Sequence, residues 1–233
     1  IGHYLFNFYQ KKINFVNFGG PGFGSKLTNE NFFHIINSKI HNLAMPKKII
    51  YFFYEGNDLQ DNLNYSNLNK TNLTLIKKYF PVFHALNLLP YKIIAKIKLI
   101  LGIHQSQKKN LTKNYYVYNN EKFEINSTIQ GPPIELNETE FDKALNIVFE
   151  NLLELKEVSD NISLIYIPSP AVVLKMVEPI KIQIHMKEKN NFKNITNLDL
   201  DKLNILLSTK IEHFCKKNNI LFLNTTNDFK KIS

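Results

Sequence analysis

The chain has 233 residues, a formal net charge of +9 and a single cysteine. This length suits one domain, or one domain with a large insertion, and a single cysteine excludes an internal disulfide. No run of 18 apolar residues occurs, so the sequence contains no obvious membrane-spanning helix. Lysine, asparagine and isoleucine recur throughout, as in proteins from AT-rich genomes, and the lysines form no single block. We therefore expect no nucleic-acid partner.

The first predicted elements surround a glycine-rich turn. Residues 13–18 have the short apolar pattern of a β-strand and lead into residues 19–24, which contain four glycines. Residues 28–44 follow with apolar side chains at helical spacing, and Thr28 or Asn29 is the expected N-cap. The chain begins with isoleucine rather than methionine. We therefore expect the natural N-terminus to be missing, so the compartment, bacterial cell envelope or cytoplasm, stays open.

The second predicted strand covers residues 48–54 and is apolar throughout after its first lysine. A strand that is apolar on both faces is typical of a buried position in a parallel sheet. It ends in the segment Glu55-Gly56-Asn57-Asp58. We expect Glu55 at the rim of a pocket, and we expect Asp58 to bond backbone N–H groups of the turn.

Residues 60–137 are interpreted as one long insertion after this strand. Their first part, 60–72, is rich in asparagine and is predicted as a loop, and one further strand is predicted around Tyr115–Tyr118. Residues 74–103 combine apolar side chains with lysines. They form a lid over a pocket, a surface for peripheral contact with an anionic membrane, or a satellite subdomain, and the residues leave these three alternatives open.

Regular structure resumes after the insertion. Helices are predicted over 139–158 and 198–217, and strands over 162–167 and 220–223. Strands that alternate with helices predict an α/β fold, in this case a three-layer α/β/α, flavodoxin-like parallel sheet. The expected organisation is one α/β domain in two parts, 1–59 and 138–233, with 60–137 inserted between them.

Two polar segments follow predicted parallel strands, Asn17–Ser25 and Glu55–Leu59. Parallel sheets bind ligands beyond the carboxyl ends of their strands, which is where both segments are expected. Phosphate binding is not favoured, because the lysine comes one place too late for a P-loop and a dinucleotide motif lacks its third glycine. An acyl-transfer site fits better, since it needs backbone N–H groups or amide side chains that donate to an oxyanion. Gly22 and Asn57 would make such a pair.

The order of these motifs resembles the SGNH (GDSL-like) hydrolases. The pattern Asn-x-Gly-x-x-Gly at residues 17–22 is similar to the second block of that family. Gly56-Asn57-Asp58, after the next strand, is similar to the third block. The resemblance implies that the backbone N–H of Gly22 and the side-chain amide of Asn57 form the oxyanion hole, supported by Gly56 and Asp58.

Two blocks of that family have no counterpart in this sequence. Gly-Asp-Ser supplies the nucleophile and Asp-x-x-His supplies the general base. The resemblance therefore implies that both groups lie outside residues 1–233 and that this chain alone is inactive. Ser25 and Ser169 are interpreted as turn residues, since neither stands in a nucleophile motif. None of the seven histidines stands in Asp-x-x-His.

The resemblance implies a serine ester hydrolase that acts on a small acyl ester, such as an acetate carried by a glycan. Two alternatives stay open, an O-acyltransferase for a cell-envelope polysaccharide and a non-catalytic binding module with the same fold. No cofactor is implied. No metal site is expected either, because Cys215 has no neighbour at ligand spacing and no cluster of histidine and carboxylate residues occurs.

Overall fold

The computed structural model describes residue 16 and the ranges 24–38, 45–68, 113–125, 131–183 and 192–232. The predicted strand 13–18 apart from Val16, the glycine-rich turn apart from Gly24, and the whole of residues 74–103 lie outside the described residues.

Helices and strands alternate along most of the described chain. None of the helices in these ranges has the length and apolar character that crossing a membrane requires. The helices are α1 (Ser25–Ser38), α2 (Asp58–Leu68), α3 (Glu138–Lys156), α4 (Pro170–Val173), α5 (Asn197–Lys217) and α6 (Thr226–Ile232). The strands are β1 (Ile49–Tyr54), β2 (Asn114–Tyr118), β3 (Glu121–Ile125), β4 (Ile162–Ile167), β5 (Lys175–Met176), β6 (Ile180–Gln183), β7 (Phe192–Ile195) and β8 (Leu221–Asn224).

Strands β1, β4 and β8 form one parallel sheet in that order. Phe53 of β1 lies opposite Tyr166 of β4. The mixed α/β fold predicted from the alternation of strands and helices is confirmed at this level. Because the strands are parallel, their carboxyl ends at Tyr54, Ile167 and Asn224 lie at one edge of the sheet, where α/β proteins bind ligands.

One face of this sheet carries the larger core. The inward side chains of β1 and β4 pack against apolar side chains of α1, α2, α3 and α5. The rings of Phe53 and Tyr166 stack there, with their centroids 5.7 Å apart. Helix α3 covers the core because its buried residues recur at the spacing of an amphipathic helix. They are Phe141, Ala144, Leu145, Val148, Asn151, Leu152 and Leu155.

Capping boxes explain where α3 and α5 begin. The side chain of Asn137 accepts a hydrogen bond of 2.9 Å from the N–H of Glu140. The Glu140 carboxylate in turn accepts one of 3.1 Å from the N–H of Asn137. Thr196 and Asp199 form the same reciprocal pair before α5. Each box provides partners for N–H groups that the helix itself leaves unpaired. The helices predicted over 139–158 and 198–217 are confirmed.

Helix α1 begins earlier than the sequence predicts. The predicted helix starts near residue 28 with Thr28 or Asn29 as its cap, whereas the helix begins at Ser25. The N–H of Thr28 already donates to the carbonyl of Gly24, at 3.1 Å. Asn29 is buried within the helix, where its side-chain amide donates to the backbone carbonyl of Asn151. Neither predicted residue is therefore the cap.

Helix α2 occupies most of the range 60–72, where a loop was expected. Leu59 and Leu63 are one helical turn apart, and both side chains are buried in the larger core. The asparagine-rich composition disfavours a helix locally, but intrinsic propensity is a weak preference that tertiary packing overrides. The loop prediction is wrong as far as Leu68.

A second, smaller core is built from the hairpin β2–β3 and from the described residues 170–183 and 192–200. Strand β2 pairs with both β3 and β5, and β6 pairs with β7. Asn119 and Asn120 turn the hairpin with positive φ angles of 49° and 64°, as a type I′ turn requires. The strand predicted around Tyr115–Tyr118 is confirmed, whereas β3 was not predicted. The buried residues of the smaller core are Ala171, Val172, Met176, Ile180, Ile195 and Leu200.

Candidate active site

Asn57 lies in the turn between β1 and α2, at the carboxyl edge of the parallel sheet. Its side-chain nitrogen donates a hydrogen bond of 2.8 Å to Oδ2 of Asp61. Its backbone carbonyl accepts another of 2.8 Å from the N–H of Asp61. An amide nitrogen carries two hydrogens, so the bond to Asp61 orients the side chain and uses one of them. Asn57 can therefore present a fixed N–H donor.

The ring of Tyr54 lies against Gly56. A Cβ atom added at Gly56 would lie 2.6 Å from Cε1 and from Cζ of this ring and 2.7 Å from its hydroxyl oxygen. Carbon atoms pack no closer than about 3.5 Å, so a side chain at position 56 would displace the ring or the turn. Burial, followed by the charges of Glu55 and Asp58, raises the pKa of Tyr54 to about 12. Its hydroxyl therefore stays protonated at neutral pH.

Two carboxylates lie in the first turn of α2. Oδ2 of Asp58 accepts a hydrogen bond of 2.8 Å from the backbone N–H of Tyr54, so it bonds the backbone as predicted, but at the last residue of β1 rather than in the turn. Burial raises the pKa of Asp58 to about 7, while the bond from Tyr54 lowers it and the charge of Asp61 raises it. Burial also raises the pKa of Asp61. Asp58 therefore titrates near neutral pH.

Glu55 is fully buried, so the expectation that it lies at the rim of a pocket is wrong. Its Oε1 accepts hydrogen bonds from the Tyr166 hydroxyl at 2.7 Å and from the Asn204 amide at 2.8 Å. Its Oε2 accepts hydrogen bonds from the N–H of Ser169 at 2.7 Å and from its hydroxyl at 2.8 Å. These four donors take the place of the water that a buried carboxylate loses. The turn that carries Asn57 is thereby joined to β4, to the loop after β4 and to α5.

Tyr166 extends this network to β8. Burial, followed by the neighbouring Glu55, raises the pKa of Tyr166, so its hydroxyl remains a donor. Its backbone carbonyl accepts hydrogen bonds from the Thr225 N–H at 3.2 Å and from the Thr225 hydroxyl at 2.7 Å. The carboxyl ends of all three parallel strands are therefore connected through one tyrosine and one glutamate.

The hydroxyls of Ser25 and Ser169 are both engaged in buried hydrogen bonds. Ser169 donates to Glu55. Ser25 donates to Oδ1 of Asn62 at 2.9 Å and accepts from the side-chain nitrogen of Asn151 at 2.8 Å. A serine nucleophile needs an adjacent base and access to its substrate. Ser25 and Ser169 are both buried among the described residues, so neither hydroxyl is accessible to a substrate, and their hydrogen bonds give both serines structural roles.

The other titratable candidates do not form a site in the described part of the chain. His34 and His213 are exposed on α1 and α5, and the remaining histidines lie outside the described residues. Cys215 is buried, and burial, followed by the charge of Glu212, raises the pKa of its thiol to about 12. Within the described ranges, no group of three or more histidine, cysteine or carboxylate side chains could hold a metal ion.

Sequence reasoning missed three buried asparagines on the helices, Asn62, Asn151 and Asn204. A signal for them exists, because they lie among the inward positions of their helices. Asn204, for example, follows the buried Leu200 by one helical turn and precedes the buried Leu207 by another. A polar residue at a core position of an amphipathic helix must find hydrogen-bond partners inside the protein.

Of the predicted site residues, Gly56 and Asn57 lie in the turn after β1, Asp58 begins α2, and Gly22 lies outside the described residues. Searches against protein families, curated proteins and solved structures found no match to this chain. The geometry of this turn and the order of the sequence motifs are therefore the features of the chain that bear on its function.

Proposed function

We propose that this chain belongs to a serine ester hydrolase of the SGNH type and supplies the half of the active site that stabilises the oxyanion. The observation that carries the proposal is the Asn57 amide, oriented by Asp61 at the carboxyl edge of a parallel sheet. The proposed complete fold is a three-layer α/β/α, flavodoxin-like arrangement with a long insertion after β1. The proposed substrate is a small acyl ester, such as an acetate on a glycan.

The proposed reaction is acyl transfer to a serine. The serine hydroxyl attacks the ester carbon, a histidine takes the hydroxyl proton, and the carbonyl oxygen becomes an oxyanion. Asn57 and the backbone N–H of Gly22 would donate hydrogen bonds to this oxygen. The C–O bond to the alcohol then breaks, and the alcohol takes the proton from the histidine. Water then attacks the acyl-enzyme carbonyl and gives a proton to the histidine. The bond to the serine breaks, the serine takes that proton, and the acid is released. Both the serine and the histidine are proposed to lie outside residues 1–233.

Asn57 is suited to this role for two reasons. A neutral amide is a hydrogen-bond donor at every ordinary pH, so the donor does not disappear when nearby carboxylates titrate. Its orientation is also set before any substrate arrives, because Asp61 holds one of its hydrogens. Donors that need no rearrangement as charge develops lower the barrier more than donors that must reorient. The four hydrogen bonds to Glu55 support the same turn.

The test uses the complete protein encoded by the reading frame that contains this chain. Hydrolysis of p-nitrophenyl acetate and labelling by a fluorophosphonate probe are measured on the same preparation. The proposal predicts turnover and one labelled serine per chain. A folded protein that shows neither contradicts it and favours the non-catalytic binding module.

The products that the same preparation forms distinguish a hydrolase from an O-acyltransferase. An acetylated glycan is supplied as the donor, with and without a second glycan as the acceptor, and the products are identified by mass spectrometry. Free acetate in both reactions supports the hydrolase. An acetylated acceptor in place of free acetate indicates the transferase.

A further inference from the structure

Asn62 caps helix α1 although it belongs to α2. Its Oδ1 accepts a hydrogen bond of 3.2 Å from the backbone N–H of Lys26 and one of 2.9 Å from the hydroxyl of Ser25. The N–H groups of the first helical turn have no partner within the helix, and the residue before the helix normally supplies one. That residue is Gly24, which has no side chain. The cap comes instead from a residue 36 positions after Lys26.

The same contact explains why position 24 holds glycine. A Cβ atom added at Gly24 would lie 2.5 Å from Oδ1 of Asn62 and 2.9 Å from its backbone nitrogen. Both distances are far inside van der Waals contact and the position is buried, so a side chain at position 24 would displace the Asn62 side chain from its capping position. Gly24 and Asn62 therefore form a matched pair, in which the missing side chain of one makes room for the cap supplied by the other.

Helix α3 holds this cap from a second side. The side-chain nitrogen of Asn151 donates to the hydroxyl of Ser25 at 2.8 Å, and that of Asn29 donates to the backbone carbonyl of Asn151 at 2.8 Å. These three residues and Asn62 are buried, each with a relative exposure of 2% or less. Hydrogen bonds in such a low-dielectric environment are strong and directional. The start of α1 is therefore fixed relative to both α2 and α3.

We infer that Asn62 is a positioning residue that fixes the end of the glycine-rich segment relative to Asn57. Asn57 directly precedes α2 and Asn62 lies within it, so the helix keeps them about 7.5 Å apart along its axis. Gly24 ends the glycine-rich segment, two residues after Gly22. This inference rests on the proposed function, because the separation affects catalysis only if Gly22 and Asn57 act on the same oxyanion.

The test measures kcat and KM for p-nitrophenyl acetate in variants of the complete protein. Asn62→Ala removes the cap, and we expect kcat to fall about ten- to hundredfold while KM changes less than about threefold. Asn62→Asp keeps acceptor oxygens, and a helix N-terminus favours a negative charge, so we expect most of the kcat to be retained. The matched control is Asn114→Ala. Asn114 is also buried, and it joins β2 to Lys181 of β6 through hydrogen bonds of 2.8 and 2.9 Å.

The outcomes separate this inference from the proposed function. If Asn57→Ala leaves kcat unchanged, the proposed function fails and this inference fails with it. If Asn57→Ala lowers kcat but Asn62→Ala lowers it no more than Asn114→Ala does, only the positioning role is overturned. Should Asn62→Ala not fold, Gly24→Ala takes its place, because the added methyl group displaces the Asn62 side chain. Wild-type kcat in folded Gly24→Ala would also overturn the positioning role.

Discussion

The hydroxyl of Tyr166 donates a hydrogen bond of 2.7 Å to Oε1 of Glu55, at the carboxyl edge of the central sheet. This bond joins β4 to the turn that leads to Asn57. Asn204 donates to both partners, at 2.8 Å to Glu55 and at 3.2 Å to Tyr166, so α5 is attached at the same point. Three elements that are distant in the sequence therefore meet at one carboxylate beside the proposed oxyanion site.

Removal of the Glu55 carboxylate would take away the acceptor of four buried hydrogen bonds, although Asn204 would keep a second partner in the Tyr166 hydroxyl. We expect Glu55→Ala to lower the free energy of unfolding by at least about 3 kcal/mol, because each unpaired buried group costs about 1–3 kcal/mol and several lose their acceptor together, although such losses are not additive. Glu55→Gln keeps one acceptor oxygen, so it should lose less. Urea unfolding followed by circular dichroism measures both variants.

The control for this comparison is Glu150→Gln, at an exposed position of α3. It should stay within about 0.5 kcal/mol of the wild type. A loss below about 1 kcal/mol for Glu55→Ala would contradict the role assigned to the carboxylate.

Asp58 should make folding stability depend on pH. Its pKa in the folded protein is about 7, above the ordinary value of 3.8 that applies to the unfolded chain. Below about pH 4 the carboxyl is protonated in both states. Between about pH 4 and 7 the unfolded chain releases the proton while the folded protein retains it, so stability falls as pH rises. Asp58→Asn should remove a contribution of up to about 1.4 kcal/mol per pH unit in this window.

The measurement is the free energy of unfolding of the wild type and of Asp58→Asn between about pH 4 and 7. Asparagine at this position still offers an oxygen to the N–H of Tyr54, so the difference between the two profiles reports the titration. Asp160→Asn, at an exposed position, controls for the change in net charge. Parallel profiles for the wild type and Asp58→Asn would rule out the titration.

The Cys215 thiol should report opening of the larger core. It is buried among the apolar side chains of that core, and burial, followed by the charge of Glu212, raises its pKa to about 12. We therefore expect a disulfide reagent such as DTNB to react only when the protein unfolds, at a rate that increases with urea. Immediate reaction of the folded protein in the absence of urea would contradict the packing of α5 on the sheet.

Neither Ser25 nor Ser169 should be the serine that reacts with a fluorophosphonate. Their hydroxyls donate to Asn62 and to Glu55 in the protein interior. After labelling of the complete protein, digestion and mass spectrometry locate the adduct, which we expect outside the peptides that contain these two serines. An adduct on either residue would place the nucleophile within this chain.

The long elements could be predicted from the sequence because their signals are local. Strand β1 is a continuous apolar run, and α3 and α5 combine amphipathic spacing with caps at the adjacent residues Asn137 and Thr196. The start of α1 could not be predicted in this way. Its cap is Asn62, whereas the residues near the predicted start of the helix suggest Thr28 or Asn29.

The hydrogen bonds around the candidate site could not be predicted from the sequence either, because they join residues that are far apart in the chain. Asn57 was identified because it lies in a recognisable motif at the end of an apolar strand. The burial of Glu55 depends on Tyr166 and Asn204, which are 111 and 149 residues away. Nothing beside Glu55 in the sequence distinguishes a carboxylate with four internal donors from one at a pocket rim.

The most direct test of the central claim is the kcat of Asn57→Ala in the complete protein, with p-nitrophenyl acetate as the substrate. Asn64→Ala, an exposed asparagine on the same helix, is the matched control. The proposed role predicts a fall in kcat of about 10²–10³ for Asn57→Ala and no change for Asn64→Ala. If Asn57→Ala retains the wild-type kcat, the amide does not stabilise an oxyanion and the proposed function is wrong.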